Sequence, residues 1–242
     1  MKKSWIANSL TAANIAFGSV SILLSLIGQT NAAAVAILLA MVSDSLDGRV
    51  ARKLGTSGPF GVELDSLCDC TSFGVAPGIL LYSYQLHGLD AFGMIPCIVM
   101  AVCCAFRLAR FNVEVTSVHG YFEGLPCPTV GVLIACYILS GVEVWDWLAF
   151  ILAVVLSLLM VSEIHYPDNK GASADQLHFP AFAVCVVFFV LCTFIQPSVW
   201  AAALCTAYVA FGAANTWMNR RKRMRRLRDR RNYGIGSRGD RL

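Results

Sequence analysis

Four aspartates stand out in a chain that otherwise avoids charge. Asp44 and Asp47 are three positions apart, and Asp65 and Asp69 are four apart. On helices, each spacing places the pair on one face. Ionisable side chains within apolar helices are expensive, and they usually face a polar cavity and carry a function there. Four carboxylates brought together repel one another and take up protons. A hard divalent cation resolves the conflict because it prefers oxygen ligands, and few protein ligands per ion suit a metal completed by substrate phosphates. No His or Cys cluster has the spacing of a zinc site, so the expected cation is Mg²⁺ or Mn²⁺.

Small residues sit one turn from these carboxylates. Gly48 follows Asp44 by four, Ala51 follows Asp47 by four, and Gly61 precedes Asp65 by four. They leave room for a nucleotide or, alternatively, for a closely packed helix. Arg52 extends the line from Gly48 and can neutralise a phosphate. In register with the aspartates, the set is expected to form a nucleotide-diphosphate site.

The elements that position these residues follow from composition. The 242 residues are 57% hydrophobic and 14% charged, with a mean hydropathy of +0.64. Soluble domains carry about 25% charged residues. An all-α, polytopic membrane bundle is therefore expected. A span needs about 20 mostly apolar residues. Eight are read, at about 5–27, 32–54, 60–84, 89–113, 127–142, 146–163, 177–195 and 198–217. They make up a membrane domain over 1–217, followed by a basic tail over 218–242. No cleavable signal peptide is evident. The ten cysteines occur singly or as close pairs in apolar runs and read as packing residues.

Charge fixes the expected orientation. With eight spans, all nineteen Lys and Arg fall on one side, eleven of them after Met218. Positive charge marks the cytoplasmic side, which places both termini and the aspartates there, in a bacterial inner (cytoplasmic) membrane. The tail is expected against anionic headgroups, at about 1 kcal/mol per basic residue near the surface. Its single aromatic, Tyr233, gives no support to nucleic-acid binding.

The run DSLDGRVARKLGTSGPFGVELDSLCD, from Asp44 to Asp69, resembles the CDP-alcohol phosphatidyltransferase family. It fits D-x2-D-G-x2-A-R-x8-G-x3-D-x3-D at all eight fixed positions. The resemblance implies a core of six transmembrane helices, usually dimeric, with a site open to the cytoplasm. It further implies that Asp44, Asp47 and Asp65 bind metal, and that Asp69 helps ligate or acts as the base. Gly48 and Ala51, with Gly61 opposite, would lie near the cytidine and Arg52 near the diphosphate. Metal would neutralise the diphosphate while a carboxylate activates the incoming alcohol.

Three further stretches resemble the serine-accepting branch of that family: Glu63 to Leu67, Ser72 to Pro77, and Phe106 to Asn112 with Gly124 to Pro128. The implied substrates are CDP-diacylglycerol and L-serine. Arg107 and Arg110, at the end of span four, are candidates for the acceptor carboxylate, with topology anchoring as the alternative. Asn112 and Ser72 are candidates for polar contacts with the acceptor. Thr11 and Asn14 either line the nucleotide pocket or hydrogen-bond between helices. Glycerol 3-phosphate or inositol phosphate as acceptor, and an archaeal-type lipid as donor, remain open. An ion-coupled transporter is the rival from another class; the Gly48, Ala51 and Arg52 register argues against it.

Overall fold

A computed structural model describes residues 2–56, 58–113, 121–162 and 165–167. The expected spans at 177–195 and 198–217, and the basic tail, lie outside these residues.

Helix α1 (Lys2–Leu26) and helix α2 (Thr30–Leu54) form a hairpin packed along its length. The reversal is made at Gly28, whose φ of 75° is left-handed, a conformation that Gly adopts without a Cβ penalty. The buried stripe of α2 is small, with Ala33, Ala36, Ala40 and Ser43 around Ile37, which lets α1 approach closely. Gly55, at φ 63°, ends α2. Its N–H donates to Arg52 O at 3.3 Å and the Thr56 N–H donates to Ala51 O at 3.1 Å, closing the last turn on the carbonyls that would otherwise lack partners.

Pro59 opens α3 (Pro59–Asp69) at a position that tolerates a missing N–H. The helix then widens into a π-helical turn over Cys70–Val75 and continues as α4 (Ala76–Tyr84). Such widened turns shift side-chain register and are frequent at functional sites; this one begins immediately after Asp69. A 3₁₀ segment, Leu86–Gly93, leads into α5 (Met94–Val113). Regular α-helix thus starts later than the expected residue 89. Asp90 adopts φ 49°, and the turn closes so tightly that a Cβ on Gly93 would lie 2.0 Å from Leu86 O.

Helices α6 (Cys127–Leu139) and α7 (Asp146–Val161) complete the described bundle. The all-α expectation holds for the bundle, with one short ribbon beside the helices. Strands β1 (Tyr121–Glu123) and β2 (His165–Pro167) pair antiparallel, with Phe122 opposite Tyr166. They flank the α6–α7 hairpin, and pairing satisfies backbone groups that no helix serves.

The core centres on the continuous α3–α4 path. Phe73 and Leu80 are fully buried among Ile37, Met100, Cys104, Val130 and Ile134, drawn from three other helices. Close approach to α5 depends on two glycines one turn apart. A Cβ on Gly74 would lie 2.8 Å from Cys104 Cβ, and one on Gly78 would lie 3.0 Å from Cys97 Cα. The loop end of α4 is closed by a polar network. Tyr137 Oη donates to Gln85 Oε1 at 2.6 Å, and Gln85 Nε2 donates to Asp146 Oδ1 at 3.0 Å and to the Val144 carbonyl.

Among the described residues, three segments are long and apolar enough to cross a membrane: Asn8–Leu26, Pro59–Tyr84 and Leu86–Val113. Helix α2 is long enough at 25 residues, but its C-terminal end carries Asp44, Asp47, Arg49, Arg52 and Lys53. Helices α6 and α7 have 13 and 16 residues, or about 20 and 24 Å of rise against a hydrocarbon core of about 30 Å. The described residues therefore form a helical membrane bundle with three such spans. The outward face of α5 repeats Met94, Ile98, Val102 and Phe106, all exposed, as a lipid-facing stripe would be.

Candidate active site

Helix α2 delivers Asp44 and Asp47 and α3 delivers Asp65 to one point. Each offers a carboxylate oxygen, and the three oxygens lie within 4.8 Å of one another. Asp47 is 5% exposed; Asp44 and Asp65 are half-buried. Asp47 Oδ2 and Asp65 Oδ1 are buried with no hydrogen-bond partner among the described residues. Orphaned buried acceptors on adjacent anions are unstable unless a cation completes them. An all-carboxylate donor set fits a hard divalent ion, so the residues present fit the cation read from the sequence.

Asp69 stands outside this group of three. It is 8% exposed, and its Oδ1 accepts a hydrogen bond from Asn14 Nδ2 at 2.9 Å. The Thr11 hydroxyl reaches the Asp47 carboxylate. Thr11 and Asn14 are three residues apart on α1, so one face of that helix braces one carboxylate from each of the other two. Of the two readings of Thr11 and Asn14, the structure has the interhelical hydrogen bonds. The sequence reveals these polar residues in an apolar span but not their partners, which lie 36 and 55 positions away.

Direct packing of α2 on α3 is not what holds the cluster together. The two helices barely touch, while α1 packs against both. Their carboxylates therefore face each other across a cleft backed by α1. The glycines bear this out. Among the described residues, a Cβ on Gly61 would meet nothing within 4 Å, and one on Gly48 would meet only the Arg52 guanidinium, with Nη1 at 3.5 Å. Close helix packing does not account for either glycine. Arg52 is exposed and folds back over Gly48, close enough to interact electrostatically with Asp47, and Ala51 is half-buried one turn beyond Asp47.

The expected acceptor residues separate into different environments. Arg107 is 9% exposed, with Nη1 3.7 Å from Cys127 Sγ and Nε buried without a partner among the described residues. Cys127 in turn lies within electrostatic range of Asp69. Arg110 is half-buried in the last turn of α5. Asn112 Nδ2 donates to Ser66 Oγ at 3.0 Å and to Glu63 Oε2 at 3.3 Å, tying α5 to α3. Ser72 is fully buried and donates to Asn14 O at 3.0 Å. A Cβ on Gly18 would lie 2.3 Å from Ser72 Oγ. In the structure Ser72 is a pin between α1 and the π turn rather than a group open to an acceptor.

Comparison with known proteins agrees with this arrangement. Residues 4–160 match the CDP-alcohol phosphatidyltransferase family. The chain is 44% identical over 171 residues to the archaetidylserine synthase of Methanothermobacter thermautotrophicus, covering 68% of this chain and 71% of that protein. It is 33% identical over 214 residues to the CDP-diacylglycerol–serine O-phosphatidyltransferase of Helicobacter pylori, covering 85% and 88%. The enzyme of the same name from Bacillus subtilis is 33% identical over 174 residues, covering 72% and 96%. The chain belongs to the CDP-alcohol phosphatidyltransferase family.

Proposed function

We propose that this chain transfers the phosphatidyl group of CDP-diacylglycerol to the hydroxyl of L-serine, giving phosphatidylserine and CMP. The observation that carries the reading is the convergence of Asp44, Asp47 and Asp65 across a cleft that Gly48 and Gly61 leave open. That cleft lies inside the segment matched to the family. Serine is favoured because the relatives above are named for it.

Each residue then has a task. Asp44, Asp47 and Asp65 hold Mg²⁺ or Mn²⁺, which when bound neutralises the diphosphate as a Lewis acid. Gly48, Ala51 and Gly61 leave space for the cytidine, and Arg52 lies over the phosphates. Asp69, with one oxygen held by Asn14, takes the proton of the serine hydroxyl through the other. The serine oxygen forms a bond to the lipid phosphorus, the phosphoanhydride bond breaks, and CMP departs with the electron pair. Arg107 offers its buried, partly unpaired guanidinium to the serine carboxylate. Arg110 and Asn112 lie on the same helix end and are the secondary acceptor contacts.

The wider architecture belongs to the same proposal. It is a six-helix core with two further spans, one membrane domain over 1–217, and a homodimer in the cytoplasmic membrane. Both termini and the site face the cytoplasm, and the tail over 218–242 lies on anionic headgroups.

The test is CMP release by purified protein with CDP-diacylglycerol and Mn²⁺, one alcohol at a time. Serine alone is expected to stimulate release. Release with glycerol 3-phosphate but not serine would overturn the acceptor, and no release with any alcohol would overturn the reaction. The 44% identity to an archaetidylserine synthase favours a second reading of the donor, a CDP-activated isoprenoid ether lipid. Running the two donors side by side decides between them.

A further inference from the structure

Helix α1 buries a row of small or polar residues, Thr11, Asn14, Gly18, Ser21 and Ser25. Their alternating spacing of three and four keeps them on one face of the helix. Two members of the row meet the turn that follows Asp69. Ser72, the third residue of the π turn, is fully buried, and its Oγ donates to Asn14 O at 3.0 Å. One turn further along α1, Gly18 lies against the same serine. A Cβ there would stand 2.8 Å from Ser72 Cα and 2.9 Å from Ser72 Cβ. Asp69 closes the ring, its Oδ1 accepting from Asn14 Nδ2 at 2.9 Å. Asn14 is therefore held twice by one segment, through its side chain at Asp69 and through its carbonyl at Ser72. In an α-helix the carbonyl of residue 14 already serves the N–H of residue 18. The serine bond is thus a second one on that oxygen, not needed to satisfy it. Nothing in the proposed reaction uses Ser72 or Gly18.

We propose that Ser72 and Gly18 are positioning residues for the phosphatidyl transfer, acting together through Asn14 on Asp69. Gly18 lets the π turn reach the backbone of α1, because any side chain there would push Ser72 away. Ser72 then fixes the register of that turn along α1. With the register set, the Asn14 amide meets Asp69 and orients its carboxylate toward the acceptor hydroxyl. The inference rests on Asp69 acting as the base in the reaction above. Neither Ser72 nor Gly18 touches the reacting groups. A small misplacement of a catalytic group weakens the transition state far more than it weakens substrate binding. Loss of either residue should therefore lower kcat and leave KM alone.

The test uses the intact protein in lipid nanodiscs, with CMP release measured at varied serine and varied CDP-diacylglycerol. Ser72→Ala keeps the Cβ and removes only the donated hydrogen bond. It is expected to lower kcat about fivefold, less than the roughly 10- to 100-fold typical of removing a directly bonded partner. Both KM values should stay unchanged. Added to Asn14→Ala, Ser72→Ala should cost little more, because both remove one link; a merely structural loss would multiply independently. Gly18→Ala should show the same split and the same lack of additivity. Gly78→Ala, crowded against Cys97 but unconnected to Asn14, should lower the thermal midpoint without changing kcat of the folded protein. A raised KM for serine in Ser72→Ala would make Ser72 an acceptor contact and overturn the proposal, as would a full fivefold loss on the Asn14→Ala background. Infrared spectra of the metal-free protein need no turnover and keep the test separate from the phosphatidyltransferase reading. The carboxyl band that disappears in Asp69→Asn should shift alike in Asn14→Ala and Ser72→Ala. An unshifted band in Ser72→Ala would overturn the link to Asp69, whether or not the protein releases CMP.

Discussion

Asn14 and Asp69 are joined by a hydrogen bond of 2.9 Å that crosses from the first helix to the third. The bond commits one oxygen of Asp69 and fixes the plane of its carboxylate. Asn14 does not touch the cluster of three carboxylates; it acts through Asp69 as a positioning residue. Removing such an outer partner typically lowers activity about 10- to 100-fold. Asn14→Ala is therefore expected to reduce kcat for CMP release by that factor while the KM for the CDP-lipid stays within about twofold, as for an interaction made chiefly in the transition state. A rise in KM with unchanged kcat would instead place Asn14 against the nucleotide.

Asp44, Asp47 and Asp65 should behave as one unit. Each offers an oxygen within 4.8 Å of the other two, and residues sharing one site do not contribute additively. Asp65→Asn alone is expected to abolish most turnover, and adding Asp44→Asn should reduce it little further. Chelation of divalent metal should stop CMP release by the parent protein, and added Mn²⁺ should restore it. Independent, multiplicative losses in the double variant would argue against a shared ion.

The sequence shows this cluster through spacing alone, because i,i+3 and i,i+4 are properties of a single helix and survive any tertiary arrangement. It also shows helices α1 to α7 to within a few residues, apart from the later start of α5, since hydrophobic runs broken by Gly and Pro mark where helices end. What it does not show is tertiary pairing. Thr11 and Asn14 are visible as polar residues in an apolar helix, but that they reach Asp47 and Asp69 depends on how α1 sits between α2 and α3. The β1–β2 ribbon is three residues on each strand, too short to produce an alternating pattern. Ser72 looks like a site residue in its motif, yet Gly18 approaches it so closely that its hydroxyl is spent on the Asn14 carbonyl.

Arg107 carries the acceptor prediction. A buried guanidinium whose Nε lacks a partner is expensive to maintain unless an anion completes it. Lys keeps the charge but loses the planar fork that matches a carboxylate. Arg107→Lys is expected to raise the KM for serine about tenfold, with little change in the KM for the CDP-lipid. Initial rates at varied serine and fixed lipid measure the split. An effect confined to the lipid KM would move Arg107 to the diphosphate.

Two kinds of glycine should respond in opposite ways to an added side chain. Gly61 borders the cleft and a Cβ there meets none of the described residues within 4 Å, whereas a Cβ on Gly78 would lie 3.0 Å from Cys97 Cα and 3.3 Å from Cys97 Cβ. Backbone atoms cannot yield as a flexible side chain can, and overpacking a close helix contact costs about 1–3 kcal/mol. Gly78→Ala is therefore expected to lower the thermal unfolding midpoint in detergent by several degrees. Gly61→Val should leave the midpoint unchanged or slightly higher, because replacing Gly within a helix removes backbone freedom from the unfolded chain. If the cleft takes the nucleotide, the same Gly61→Val protein should bind the CDP-lipid more weakly, with a KM raised several-fold. A folded Gly61→Val enzyme with unchanged KM would place the nucleotide elsewhere. A Gly61→Val protein destabilised as much as Gly78→Ala would mean that α3 packs there against something other than substrate.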